Sequence, residues 1–114
     1  MMDYNRGDIV LVNFNPQKRA EEVAKIRPAI VMSDSKLNEV LDLVTVVAMT
    51  TNLIDNAEPL RVRIPKRDKL KKNSDAMIEQ IRSISKHRMG DKIATLNKDE
   101  LKKIEYGIRE MLVL

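Results

Sequence analysis

There is no cysteine and no tryptophan in this chain, and its 114 residues include one histidine, one phenylalanine and two tyrosines. The missing thiols exclude a cysteine nucleophile, thiolate zinc sites and a disulfide framework, and they suit a reducing cytosol. With His87 as the only histidine, a two-histidine acid–base cleavage of RNA is excluded, as is a multi-histidine metal site, and His87 itself reads as a surface residue. Glycine occurs only at 7, 90 and 107, so no glycine-rich phosphate loop is available for nucleotide hydrolysis. Carboxylates are scattered at Asp8, Glu21, Glu22, Asp34, Asp75 and Glu79, without the close spacing of a magnesium site. No metal and no cofactor is therefore expected. Apolar runs stop well short of the ~20 residues that a bilayer span needs, and the first residues lack an apolar signal region. A cytoplasmic protein without a membrane partner is the expectation.

What is present is a charged, aliphatic chain. The core must come from Val, Ile, Leu and seven Met, within one domain spanning 1–114, and a second copy would add burial. Lys plus Arg number 21 against 17 acids, a net charge of +4 that is a weak hint of a polyanionic partner. The distribution says more. In "RVRIPKRDKLKK", residues 61–72, seven of twelve are basic: Arg61, Arg63, Lys66, Arg67, Lys69, Lys71 and Lys72. That stretch is either a phosphate-binding segment or a solvated loop, and charge alone favours the loop.

The pattern predicts strands first and a helix last. Asp8 to Phe14 alternates with apolar residues on both sides, as in a strand covered on both faces. Asn15 to Ile26 opens on Asn-Pro and reads as a long loop. "RPAIVMS" and "LVTVVAM" are β-branched and short, so both are central strands. Between them a short helix is expected, capped by Ser35, with Leu37, Val40 and Leu41 inward. "LRVRI" is a half-exposed strand with Arg61 and Arg63 on one face, and "KIATL" another short strand. "SDAMIEQIRSI" is ambiguous: Met77, Ile81 and Ile84 would line a helix, whereas Ile78, Gln80, Arg82 and Ile84 would line one strand face, and periodicity does not settle it. The clearest helix follows Asn97 as its cap, with Asp99 and Glu100 in the first turn and a stripe of Leu101, Ile104, Ile108, Met111 and Leu112. Gly107 inside that stripe costs about 1 kcal/mol relative to Ala and implies a close neighbour. Together these elements predict an α+β domain, a small antiparallel barrel or curled sheet with helices packed against it.

Two places could carry chemistry. Pro28 fixes its own φ, lacks an N–H and holds Arg27 extended where a loop enters the sheet. The Arg27 guanidinium can meet a phosphate through two hydrogen bonds, or pair with Glu21 or Glu22, and the local sequence does not separate the two. Thr50 and Thr51 end the third predicted strand. Their side chains alternate, so at most one points where Arg27 points, and either could donate to phosphate or cap a turn.

"RGDIVLVNF", "EEVAKIRPAIVMSD", "VTVVAMTTN", "SDAMIEQIRSISKHRM" and "KIATLNKDELKKIEYGI" follow one another in an order that closely resembles the MazF/PemK family of toxins, over nearly the whole chain. The resemblance implies an SH3-like antiparallel barrel with a C-terminal helix, a homodimer, and metal-independent, sequence-selective cleavage of single-stranded RNA. It also implies that "AMIEQIRSI" is a strand. The family's arginine falls on Arg27, its threonine on Thr50 and its loop glutamate on Glu22. Lys25, Thr51, Gln80, Arg82, Arg61, Arg63 and Lys66 are the expected RNA contacts. Many members carry Gly-Ser-Glu-Gln where this chain has "AEEV" at 20–23, and a common glycine is Lys25 here. Loop motion and base preference are expected to differ accordingly.

Without metal or a second histidine, the route open to such an enzyme is attack by the RNA's own 2′-hydroxyl. Arg27 and Thr50 would meet the charge that builds on phosphorus, with Glu22 the candidate base. An acidic, partly disordered antitoxin would compete for the basic groove. Gyrase-poisoning relatives of the same fold use a C-terminal tryptophan, whereas this chain ends "REMLVL". A binding module without catalysis is the other alternative, disfavoured by the presence of Arg27 and Thr50.

Overall fold

The computed structural model describes residues 3–14 and 25–114. Among these the elements run β1 (Asp8–Asn13), β2 (Ile26–Val31), α1 (Ser35–Val40), β3 (Leu43–Thr50), β4 (Arg61–Ile64), β5 (Ser74–Ser85), β6 (Met89–Thr95) and α2 (Lys98–Leu112). The strands form one antiparallel sheet in the order β4-β5-β3-β2-β1-β6. The α+β class is as expected. The sheet curls without closing into a barrel: β4 and β6 are its edges, and Lys69 N–H to Ile93 C=O, at 3.0 Å, is a lone backbone link from the segment after β4 to β6.

The curl is visible in one contact. The Arg82 guanidinium of β5 lies 4.9 Å from the centroid of Phe14, just past β1. In a flat sheet those strands are three spacings apart, roughly 14 Å. Both faces of the curled sheet are buried, as the all-apolar alternation of β1 requires. Ile9, Ile30, Val47, Met49, Val62 and Ile78 face α2 through Ile104, while Val10, Val12, Ala29, Val31, Val44 and Val46 pack with Tyr4, Ile84 and Met89 on the other side. β-Branched residues dominate because a pleated surface covered on both faces has little room for anything else.

β5 is a strand, and its register explains why periodicity does not settle that segment. Val47 pairs with Ile81, but Met49 pairs with Ala76, so β5 carries three extra residues where β3 advances by two. An odd insertion moves later side chains to the opposite face. Ala76 and Ile78 therefore join the cluster under α2, while Ile84 joins the other.

Two local expectations are corrected. The cap of α1 is Asp34 rather than Ser35, and Leu37, Val40 and Leu41 are exposed. The inward residue is Asn38, whose amide donates to Tyr4 C=O at 2.8 Å and whose oxygen accepts from the Ser33 hydroxyl at 2.5 Å. Pinning the N-terminal segment by these bonds orients the helix, and its leucines take what is left. In α2, Leu112 is exposed beyond the apolar stripe. The rest of that helix follows expectation: Asn97 accepts from Glu100 N–H at 2.8 Å, and Glu100 accepts from Asn97 N–H at 2.9 Å, a reciprocal cap.

Gly107 is where α2 touches the sheet. A Cβ there would lie 2.4 Å from Pro59 C=O and 3.0 Å from Ile78. Helix propensity alone would make Gly107→Ala stabilising by about 1 kcal/mol. Because one of the clashing atoms is backbone, the substitution is instead expected to destabilise the fold, by about 1–3 kcal/mol, in urea unfolding followed by circular dichroism. A variant as stable as the parent would show that the helix can shift away from the sheet.

Candidate active site

Pro28 sets the site. The β2–β3 ladder runs Val31↔Val46, Ile30↔Val47, Ala29↔Ala48 and stops there, since Pro28 has no N–H to continue it. Carried two residues further, the same register sets Arg27 opposite Thr50, on the face shared by Ala29, Val31, Val44 and Val46. Thr50 is in turn opposite Asp75, and Asp75 opposite Arg63. One row across the sheet end therefore reads Arg27, Thr50, Asp75, Arg63. The sequence left open which threonine shares a face with Arg27; the register selects Thr50.

Arg27, Thr50, Thr51 and Ser74 line one open hollow of about 390 Å³, with Asn52 and Pro28 at its sides. The Arg27 side chain is exposed and makes no hydrogen bond or ion pair among the described residues. Thr50 Oγ1 accepts from Asn52 N–H at 3.1 Å. A hydroxyl has one proton and two acceptor sites, so that bond leaves the Thr50 proton available to a ligand. Ser74 is buried, with its hydroxyl donating to Lys72 C=O at 3.0 Å. Arg27 and Thr50 can thus present a cation and a neutral donor to one anionic group.

A second group lies on the same face, next to the loop base. Phe14 N–H donates to Lys25 C=O at 2.9 Å, two residues from Arg27, and Arg82 stacks on the Phe14 ring. Gln80 Oε1 accepts from Arg82 at 2.5 Å. Lys25 is exposed. Glu22, the proposed base, and Glu21 lie outside the described residues.

Arg61 and Arg63 are engaged elsewhere. Arg63 Nε donates to Asp75 at 2.6 Å and its Nη2 to Asp55 at 2.8 Å, while Arg61 contacts Asn52 C=O at 3.2 Å, Asp75 at 3.5 Å and Glu79 at 3.9 Å. Arg67 is bidentate to Glu100 and so ties this segment to the cap of α2. The basic stretch is therefore no continuous free surface: its arginines hold acids, and Lys66, Lys69, Lys71 and Lys72 are exposed. His87 is exposed and bonded to the Ser85 hydroxyl at 2.8 Å. Asp75 and Ser74 were not legible as site residues, because only the register between β3 and β5 brings them beside Thr50; Asn52 lies there by its place in the chain, two residues on.

Buried Asp75 and Glu100 share an electrostatic logic. Burial pushes the Asp75 carboxyl up, but hydrogen bonds from Arg63 and Ile54 N–H, with the charges of Arg63 and Arg61, outweigh it and hold the group below the usual range. Burial likewise raises Glu100, and Arg67, the Asn97 N–H and Lys103 together bring it below its ordinary value.

The chain thus combines a curled antiparallel sheet and a C-terminal helix with an arginine and a threonine that line one open hollow. The family described as "PemK-like, MazF-like toxin of type II toxin-antitoxin system" matches residues 5–112, and the chain belongs to it. The chain is similar to Endoribonuclease MazF of Staphylococcus saprophyticus, 31% identical over 104 residues that span 90% of this chain and 86% of that one. MazF of Deinococcus radiodurans, crystallised with MazE, superposes with a TM-score of 0.83 at 22% identity, over 100% of this chain and 99% of that one. A mycobacterial endoribonuclease in complex with its cognate antitoxin gives 0.76 at 19% identity, over 100% and 97%.

Because both carboxyls are held low, folding favours their charged forms. The stability they contribute is complete above the unfolded values of about 4 and is lost as pH falls through the lower folded values. Urea unfolding from about pH 7 down to about pH 3 should show stability falling with acid, and Asp75→Asn or Glu100→Gln, less stable at neutrality, should fall less steeply. Parallel slopes for parent and variants would contradict the assignment.

Proposed function

We propose that this chain is a sequence-selective endoribonuclease toxin of the cytoplasm that cleaves single-stranded RNA at the hollow between β2 and β3. The observation that carries it is the register that sets Arg27 against Thr50 over an open site, in a chain of the MazF/PemK family. The reaction uses the substrate's own nucleophile. The 2′-oxygen forms a bond to the adjacent phosphorus, the bond to the 5′-oxygen breaks, the 2′-proton passes to a base, and the leaving oxygen takes up a proton. Arg27 stabilises the charge on the phosphorane or delivers the proton to the leaving 5′-oxygen. Thr50 donates to a non-bridging oxygen. Glu22 is the candidate base. The products are a 2′,3′-cyclic phosphate, which a water molecule can open to a 3′-phosphate by breaking the bond from phosphorus to the 2′-oxygen, and a free 5′-hydroxyl, with no metal invoked.

Phe14 with Arg82 and Gln80 supplies a stacking and hydrogen-bonding surface for a base beside the cut, since single-stranded RNA is read by stacking and by splayed base edges. Lys25, Thr51 and Lys66 add exposed polar contacts along the strand. Arg61 and Arg63 contribute through the acids they hold. The toxin acts as a homodimer, with RNA across the groove between copies, and an acidic, partly disordered antitoxin competes for that groove. The antitoxin complexes of the Deinococcus and mycobacterial relatives support that partner.

The test is a long RNA incubated with pure protein in excess chelator, with the new ends mapped. Cleavage at a short recurring sequence is expected, and a 2′-deoxy substitution at the cut position should block it. Arg27→Ala and Thr50→Val should each slow cleavage about 10²- to 10³-fold while the fold is retained. Intact RNA under chelation, or Arg27→Ala cutting at the parent rate, would refute the mechanism.

A further inference from the structure

Three acids are buried among the described residues, and two have evident structural tasks. Asp8 accepts from Asn5 N–H at 3.0 Å and pairs with Lys92, and Glu100 completes the cap of α2. The third, Asp75, is 1% exposed and faces Thr50 across the β3–β5 ladder. A buried carboxylate is retained at a cost in solvation unless it is paired and fully hydrogen-bonded. Every partner of Asp75 leads to the segment that follows Thr50.

Ile54 N–H donates to Asp75 Oδ2 at 2.8 Å. Arg61, on the same oxygen at 3.5 Å, uses the same Nη1 to hold Asn52 C=O at 3.2 Å. Arg63, 2.6 Å from the other oxygen, reaches on to Asp55 at 2.8 Å. Residues 52, 54 and 55 are thus each attached to one charge cluster. Asn52 is also the residue whose N–H occupies an acceptor site of the Thr50 hydroxyl.

We propose that Asp75 is a positioning residue for the Thr50 hydroxyl, acting through Arg61 and the backbone of Asn52, whose C=O and N–H lie in successive peptide units joined at its Cα; this rests on the reading of Thr50 as a donor to the scissile phosphate. With Asn52 N–H fixed on one lone pair, the Thr50 proton is directed away from the protein toward the hollow. Release of the Asn52 C=O loosens the backbone at residue 52, its N–H no longer holds the Thr50 lone pair, and the hydroxyl proton is no longer pre-aimed. A carboxylate is needed because an amide would turn its own N–H groups on the arginines or on Ile54 N–H. The two arginines also neutralise Asp75, so its charge does not oppose an incoming phosphate.

The role is read from single-turnover cleavage at saturating RNA, alongside affinity for the same RNA carrying a 2′-deoxy group at the cut. Asp75→Asn should slow cleavage about 10- to 100-fold, with affinity changed by less than about threefold. In a Thr50→Val background the same change should have no further effect on rate, because both remove one interaction. Glu100→Gln, a buried acid of the α2 cap, should lower stability and leave the rate unchanged. The proposal is overturned if folded Asp75→Asn cuts at the parent rate, or if its loss multiplies with that of Thr50→Val. Should Asp75→Asn not fold, Arg61→Gln, which releases Asn52 C=O and leaves the Arg63–Asp75 pair, is judged by the same two criteria. Failure of the underlying reading looks different: Thr50→Val itself then cuts like the parent, and the positioning role falls with it.

Discussion

Everything at the site depends on where the β2–β3 ladder ends. Backbone pairing needs an N–H from each strand in turn, and Pro28 withholds one. Carried two residues past that end, the register sets Arg27 opposite Thr50, and both line one open hollow. An arginine two residues inside the ladder would stand among the buried valines of that face. One two residues outside it would stand at the position of Lys25, beyond the end of β2. A rigid sheet that stops short is what lets a flexible guanidinium be both anchored and available.

The second dependency is charge. The chain carries seven basic residues between 61 and 72, a run that the sequence left as either a phosphate-binding segment or, favoured by charge alone, a solvated loop. Its arginines serve as internal ties, Arg61 and Arg63 to Asp75 and Arg67 to Glu100, because a guanidinium has several N–H groups with which to hold a carboxylate and reach a further partner, where an ammonium offers a point charge. The lysines of the same run are exposed. Arginine at the buried acids and lysine in solvent is the division that desolvation favours, and it leaves Arg27 as an exposed arginine without a partner among the described residues.

The strands β1, β2, β3 and β4 and the helix α2 with its Asn97 cap were legible from local pattern, since β-branched alternation and a capped apolar stripe need no information from elsewhere. β5 was not legible by period: the three-residue register shift moves half of the strand to the other face, so any single periodicity fails on it. α1 misled because leucine burial was expected to orient it, whereas Asn38 found buried backbone partners on Tyr4 and the leucines were left outside. Gly107, readable only as a place where something comes close, proved to be the contact of α2 with Pro59 and Ile78.

By itself the sequence determined which side chains are chemically capable: no thiol, one histidine, an arginine held extended by Pro28, two hydroxyls at a strand end. Those are properties of residue type and of a proline's effect on its neighbours, and they do not depend on the fold. Which hydroxyl faces the arginine, and which acid holds the segment behind it, were decided only by tertiary structure. Both are settled by register between strands distant in the chain, and register is a property of the assembled sheet that no single segment encodes.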